Sequence, residues 1–366
     1  MPLMPLTPNR AVNSTQGFSL VELLVSLAVL SLLLVLTTEM LSTTQDTWRN
    51  SKQRVSQFRD ARIAFESITR NLSQATLNTY LDYYDKDGNP MVIKYEGSYG
   101  RDDPLQPSYY DRYSELHFLV DYAPSLFRGE DVKTPTHAIF FQAPLGDVRQ
   151  RDLYGRLNNL LNGRGYFVLL GDDSNSVPDF ISKSRDPIHR FRLMEYRPPS
   201  EDNRIFSESI DAEALDWFAT DAAELIRDSR MIADNVIALV IAPVSTTQDD
   251  PARHLIAPDY VYNSRSKRHQ RVQFHQLPPL VQVTMVAISE ESALQYGIDA
   301  DTEAAEFVER SGRLFRKAAD FDKDLKQLEE DLTELNIDYR VFSATVPIRG
   351  AKWSQDVKDL ASLPGE

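Results

Sequence analysis

Residues 17–36 read GFSLVELLVSLAVLSLLLVL, and from residue 18 onward only Ser19, Glu22, Ser26 and Ser31 in this run are not apolar. A helix rises ~1.5 Å per residue, so the run reaches nearly across a ~30 Å hydrocarbon layer. The next most apolar stretches, 236–244 and 280–288, are only strand-length and rich in β-branched residues. The chain thus has one candidate membrane span. A carboxylate at mid-bilayer costs about 2.5 to 3.5 kcal/mol on insertion scales, and less toward an end, where Glu22 lies. Either Glu22 stands at headgroup depth and reaches water, or it has a cationic partner. The span holds no cation of its own. Cleavage between Gly17 and Phe18 would create one, because the new α-amino group lies four residues before Glu22, one helical turn away.

Gly17, Phe18, Ser19, Leu20, Val21, Glu22, Leu23 and Leu24 resemble the N-terminal processing motif of type IV prepilins and type II secretion pseudopilins. That resemblance implies a prepilin peptidase/methylase that cuts after Gly17 and methylates Phe18. It also implies that Glu22 neutralises the amine of a neighbouring pilin-like subunit during filament assembly. Residues 1–17 would be the leader and 18–36 the transmembrane and assembly helix. The chain would cross the inner membrane once, with its head in the periplasm or in an extracytoplasmic filament. An ordinary secretory signal fits less well. It needs a shorter apolar region followed by a small-x-small site, and the residues after the run are Thr37, Thr38, Glu39, Met40 and Leu41.

Beyond the span, Val55, Phe58, Phe65, Ile68, Leu72 and Ala75 recur at helical spacing, and charged side chains fill the other faces. No proline or glycine interrupts residues 18–78. The pattern predicts one long helix, apolar all round at first, with an amphipathic continuation over 37–81 whose stripe meets a sheet. The alternative is an anchor followed by a coiled-coil stalk, for which the stripe is short.

Residues 82–366 read as a globular α+β head, mainly an antiparallel sheet with extra helices. This gives a pilin-like architecture in which the long N-terminal helix packs on the sheet. Strands are predicted over 91–95, 115–120, 137–142, 166–170, 191–196, 235–244, 280–288 and 339–348. Helices are predicted over 148–162, 211–232 and 321–335, the last covering one face of the head's own sheet. Pro187 and the pair Pro198 and Pro199 mark loops. The order of Phe58 to Leu77, then strands, then "LPPLVQVTMVAI" from Leu277 resembles that in pseudopilin J type subunits. The tail "NIDYRVFSATVPIRGAKWS" from Asn336, together with "PPLVQVTMVAISEESA" from Pro278, resembles the family called Verru_Chthon cassette protein C, which has a prepilin-type start.

The 366 residues carry 40 basic and 54 acidic side chains, a formal net charge of -14. Such a surface does not attract nucleic acid, and no nucleic-acid partner is expected. Having no cysteine, the chain has no disulfides, thiolate metal sites or cysteine nucleophile. The turn from Asp85 to Asn89 looks like part of a calcium loop, but Pro90 stands where such a loop wants its sharp-turn glycine, leaving Glu96 an isolated match. A plain turn is the simpler reading, and no metal or cofactor is expected.

The six histidines, His117, His137, His189, His254, His269 and His275, show no ligand spacing and read as surface or turn residues. Gly163, Arg164 and Gly165 lack the pattern of a phosphate loop and read as a helix end. Arg265, Lys267, Arg268, His269 and Arg271, near Tyr260 and Tyr262, read as a solvated loop. The expectation is a non-enzymatic minor pilin or pseudopilin subunit of a secretion or pilus-like filament. The alternative is a single-pass anchored adhesin or periplasmic binding domain that does not polymerise.

Overall fold

A computed structural model describes residues 19–86, 88, 90, 108–127, 133–171, 190–206, 216–218, 222–246, 248, 252, 256–266, 271–295 and 313–353. Two compact units divide the chain, Met1–Val55 and Ser56–Glu366. Helix α1 (Leu20–Gln57) accounts for the described part of the first from Leu20 onward, and its last two residues belong to the second. Among its described residues the second contains helix α2 (Arg59–Leu72), eleven strands and helix α3 (Phe321–Glu334), besides shorter helical turns.

The continuous helix predicted over 18–78 is instead two helices. Phe58 departs from helical geometry at ψ 6° and is partly buried against the main core. Helix α2 then ends at Leu72, although helix was expected to 81. Sheet contacts capture the chain just beyond, where Thr76 N–H donates to Gln142 O at 2.9 Å and Asn78 Oδ1 accepts from Ser114 Oγ. Residues from Tyr80 onward are already strand.

The strands are β1 (Tyr80–Tyr84), β2 (Tyr109–Tyr113), β3 (Leu119–Tyr122), β4 (His137–Pro144), β5 (Leu161–Gly171), β6 (Arg190–Tyr196), β7 (Ser229–Asp234), β8 (Val236–Val244), β9 (Tyr262–Asn263), β10 (Leu280–Ile288) and β11 (Tyr339–Pro347). They form a six-stranded sheet in the order β7-β6-β5-β4-β3-β9, a three-stranded sheet β11-β10-β8 and a ribbon β1-β2. All these pairs are antiparallel. The chain changes sheets between β7 and β8 at Asn235, which is left-handed at φ 59°, a conformation asparagine tolerates.

The main core lies between the two sheets. One face of α2, built from Ala61, Ala64, Phe65, Ile68 and Leu72, joins Ile139, Phe141 and Val168 of the larger sheet and Leu239, Ile241 and Met285 of the smaller. The apolar stripe on α2 therefore meets sheets, as its spacing predicts. The outer face of the large sheet, with Phe140 and Phe167, is covered by Trp217, Phe218 and Leu225. On the small sheet the outer face is covered by Leu328 and Leu332 of α3, the role expected of that helix.

Several expected elements differ. The helix predicted over 148–162 is a single turn, Arg151–Tyr154, with Leu153 and Leu157 exposed. Strand pairing claims the chain from Leu161, opposite Pro144, so Gly163 and Gly165 are strand residues rather than a helix end. A Cβ on Gly165 would collide with the Phe140 ring across the strand pair, so the apolar packing of Phe140 requires glycine there. Within 211–232 the described parts are a 3-10 turn at Asp216–Phe218, a short helix at Ala222–Arg227 and the start of β7. The strand expected at 115–120 begins only at Leu119, because Ser114 N–H and the His117 ring are held by His275 and Asn263.

The leader, Gly17, Phe18, the strand at 91–95, Glu96, Pro187, His189, His254, His269, Lys267 and Arg268 lie outside the described residues.

Candidate functional site

In α1, every residue of the Leu20–Leu41 stretch is exposed, and this is the one described helix long and apolar enough to cross a membrane by length and composition. Its hydroxyls are already satisfied by the helix itself. Ser26 and Ser31 donate to Leu23 O and Ala28 O at 2.9 Å, and Thr38 donates to Leu34 O at 2.7 Å. These bonds suit a medium that offers no water. Glu22 is the acidic side chain of the first turn, where the helix dipole favours negative charge. It is exposed among apolar neighbours.

The second polar feature is buried in the head, where the last turn of α2 meets the large sheet. Asn71 Nδ2 donates to Tyr166 Oη at 2.8 Å, and Tyr166 in turn donates to Glu195 Oε1 at 2.9 Å. Arg230 Nε donates to Glu195 Oε2 at 2.7 Å, and the almost fully buried Arg164 lies 3.8 Å from the same carboxylate. Arg164 also pairs with Asp147, which Arg197 Nε reaches at 2.9 Å. Burial, and then the Glu195 charge, push the Tyr166 hydroxyl well above its ordinary range, so it stays a donor. Burial works against the Asp147 carboxylate, but Arg197 and Arg164 outweigh it and hold its pKa below the usual value. The β-sheet explains the convergence, because Tyr166 and Glu195 are directly opposite on β5 and β6.

The histidines depart from the surface reading. His117, His137 and His275 are all buried. Trp217 Nε1 donates to His117 Nδ1 at 3.0 Å, which places the ring proton on Nε2, facing Asn263 Oδ1 at 2.8 Å. Burial lowers its pKa to about 3. His137 is lowered to about 4, again by burial. Spacing could not reveal this, since each ring is satisfied by partners a hundred or more residues away. Arg265 is likewise not a solvated loop residue. Its guanidinium donates to Glu115 O, and burial lowers its pKa, while Tyr260 and Tyr262 are buried core.

At the calcium-like turn, Gly88 is left-handed at φ 81° and its N–H donates to Asp85 O at 3.1 Å, which makes a plain turn. Asp87 and Asn89 lie outside the described residues. Among the described residues no group of three or more His, Asp or Glu side chains is placed to hold a metal ion.

The family model of the prokaryotic N-terminal methylation motif matches residues 12–38. This chain carries a prepilin-type start. Together with the exposed apolar helix, the match supports a prepilin-type protein anchored in a membrane near its N-terminus. No curated protein and no solved structure matches the chain. The α+β head, with its antiparallel sheets, is compatible with a pilin-like fold. Of the residues that carry the motif, Glu22 is described and Gly17 and Phe18 are not.

The network around Glu195 was missed by sequence reading. Its faint signals are an acid inside the apolar run from Phe191 to Tyr196 and an arginine between two glycines in what proves to be β5.

Proposed function

We propose that this chain is a minor pilin or pseudopilin subunit of a secretion or pilus-like filament, with a mechanical rather than catalytic role. A prepilin peptidase/methylase cuts after Gly17 and methylates Phe18. The mature chain crosses the inner membrane once, with its head in the periplasm, and α1 carries it into a filament of pilin-like subunits. Glu22 sets the register by pairing with the terminal amine of a neighbouring subunit. Buried without that amine, the carboxylate would be an uncompensated charge costing several kcal/mol.

The observation that carries this reading is the methylation motif on residues 12–38, placed on an exposed apolar helix whose first turn holds an acid. The finer likeness, to pseudopilin J type subunits and to Verru_Chthon cassette protein C, rests on two stretches far apart in sequence. They fold as β10 and β11, which are direct neighbours in register from Leu280 opposite Pro347 to Ile288 opposite Tyr339. That pairing supports treating the two stretches as one structural unit.

Mass spectrometry of the mature protein tests the proposal, with an N-methylated Phe18 as the expected terminus. A terminus at Met1, or one beyond residue 36, overturns it. Glu22→Ala then separates a filament subunit from an anchored adhesin or binding domain. Membrane insertion survives in both cases, and co-assembly with partner subunits fails only for the filament subunit.

A further inference from the structure

Among the described residues, six non-glycine positions have left-handed backbone, namely Thr136, Asn235, Tyr260, His275, Phe315 and Asn336. The conformation is tolerable for asparagine and unfavourable for β-branched or bulky side chains. Three of the unfavourable ones meet at one buried ring. Thr136 precedes His137, the Tyr260 ring lies 4.5 Å from the His137 ring, and Phe315 O accepts from His137 Nε2 at 2.9 Å. Strained backbone of this kind persists only where its surroundings over-determine it, and it gathers at clamps and switches.

The ring is a junction of three elements. Ile241 N–H of β8 donates to His137 Nδ1 at 3.1 Å, and Leu239 N–H donates to Thr136 Oγ1 at 3.0 Å. These are alternate amides along one edge of β8. In an extended chain, neighbouring side chains point to opposite faces, so Thr136 and His137 could not both address that edge. The left-handed turn at Thr136 re-aims them. On the other side, Phe315 precedes α3, is fully buried and packs with Leu328, Leu332, Val240 and Val286. Its N–H donates to Asp324 Oδ2 at 2.8 Å, and Ala318 N–H donates to Pro258 O at 2.8 Å.

We propose that His137 is an acid-sensitive latch that fastens the α3 cover onto the three-stranded sheet. The latch needs one protonation state, with a hydrogen on Nε2 for Phe315 O and a lone pair on Nδ1 for Ile241 N–H. A second proton, on Nδ1, sets two donors face to face and breaks the tie to β8. Among the charged groups nearby, the arginine sharpens this response. Arg316, whose guanidinium lies 3.5 Å from the centre of the Tyr122 ring, opposes a cation at His137. Asp320, Asp322 and Asp324 act on the Tyr260 hydroxyl. Burial lowers the ring to about 4 while the latch is closed, and a released ring returns toward the ordinary value near 6.5. Opening therefore takes up a proton across that window, and the opening equilibrium rises about 30-fold between pH 7.5 and pH 5.

Hydrogen exchange of the full chain in detergent micelles, with labelling times scaled for intrinsic pH effects, tests the latch. At pH 5, peptides covering 236–244 and 313–337 are expected to lose protection by about that factor while β5 and β6 keep theirs. His137→Gln retains an Nε2 donor toward Phe315 O and cannot titrate, so its α3 protection should not change over the same range. Parallel loss in α3 and β5 in the natural chain overturns the proposal, as does an unchanged acid response in His137→Gln. Should the variant fail to fold at pH 7.5, the order of loss in the natural chain decides alone.

Discussion

Two stretches of this chain are apolar almost throughout, and they end in opposite surroundings. All nine residues of β8 are buried, with Leu239 and Ile241 facing the main core and Val240 and Ala242 facing α3. The Leu20–Leu41 stretch of α1 is 0% buried. Soluble monomers rarely leave more than a few hundred Å² of contiguous apolar surface uncovered. The difference separates surface satisfied within the chain from surface that needs something outside it, here lipid or other subunits. The same contrast holds for two glutamates. Glu195 finds Arg230, Tyr166 and Arg164 inside the head, whereas Glu22 lies on a helix whose span offers no cation.

The largest effect expected of a single substitution tests the glutamates. Glu195→Ala leaves the buried Tyr166 hydroxyl without its acceptor and removes one of the two carboxylates beside the buried Arg164, so the head should lose about 3 kcal/mol, read as a lowered urea midpoint with unchanged slope. Glu22→Ala should leave that midpoint where it is. If Glu195→Ala is as stable as the natural chain, the internal network is not what makes that charge tolerable, and the contrast with Glu22 fails.

Leu239→Ala comes next. It removes a fully buried side chain between two sheets, and about 2 to 4 kcal/mol is expected to disappear from the same measurement.

Acid should act more gradually. Burial depresses the pKa of His117 to about 3 and of His137 to about 4. Above pH 6.5 both rings are neutral in the folded and unfolded chain alike, so neither contributes to pH dependence. Below 6.5 the unfolded chain binds protons that the folded chain refuses. Stability then falls by up to about 1.4 kcal/mol per pH unit for each ring, until the folded values are reached. Urea midpoints measured from pH 7.5 to 4.5 should show this decline. In His117→Gln the slope should be halved, and an unchanged slope would mean that carboxylates dominate.

What could be read in advance follows from how local each signal is. The spans of α3, β4, β6, β8, β10 and β11, and the apolar stretch of α1 though not its end at Gln57, are visible because hydrophobic period and length are properties of neighbours in sequence. The end of α2 at Leu72 is not, because no glycine or proline stops it. The sheet does so through Thr76 and Asn78, by bonds to residues dozens of positions away. The helix expected over 148–162 fails for a related reason. Leu153, Leu157, Leu160 and Leu161 have helical spacing, yet pairing with β4 and the close approach of Phe140 to Gly165 decide the outcome. At the candidate site, Glu22 is legible because lipid leaves an acid few alternatives. The buried histidines and Glu195 are not, because only the folded chain brings their partners together.

The smallest expected effect is the sharpest test of the opening contrast, because it repeats one chemical change in the other stretch. Leu30→Ala removes the same atoms as Leu239→Ala, but Leu30 is 57% exposed and belongs to the first compact unit. With no cavity to create inside the head, the substitution should shift the urea midpoint of the head by less than about 0.5 kcal/mol, the range of surface changes. Fluorescence of the buried Trp217 reports that midpoint, since this ring sits on the outer face of the large sheet. What Leu30→Ala should weaken is the association that covers α1, seen as subunits released from co-assembled filaments at lower detergent concentration. A head destabilised by Leu30→Ala as much as by Leu239→Ala would show that α1 is part of the same cooperative core. In that case the apolar surface of α1 would be satisfied within the chain, and lipid or neighbouring subunits would no longer be needed to explain it.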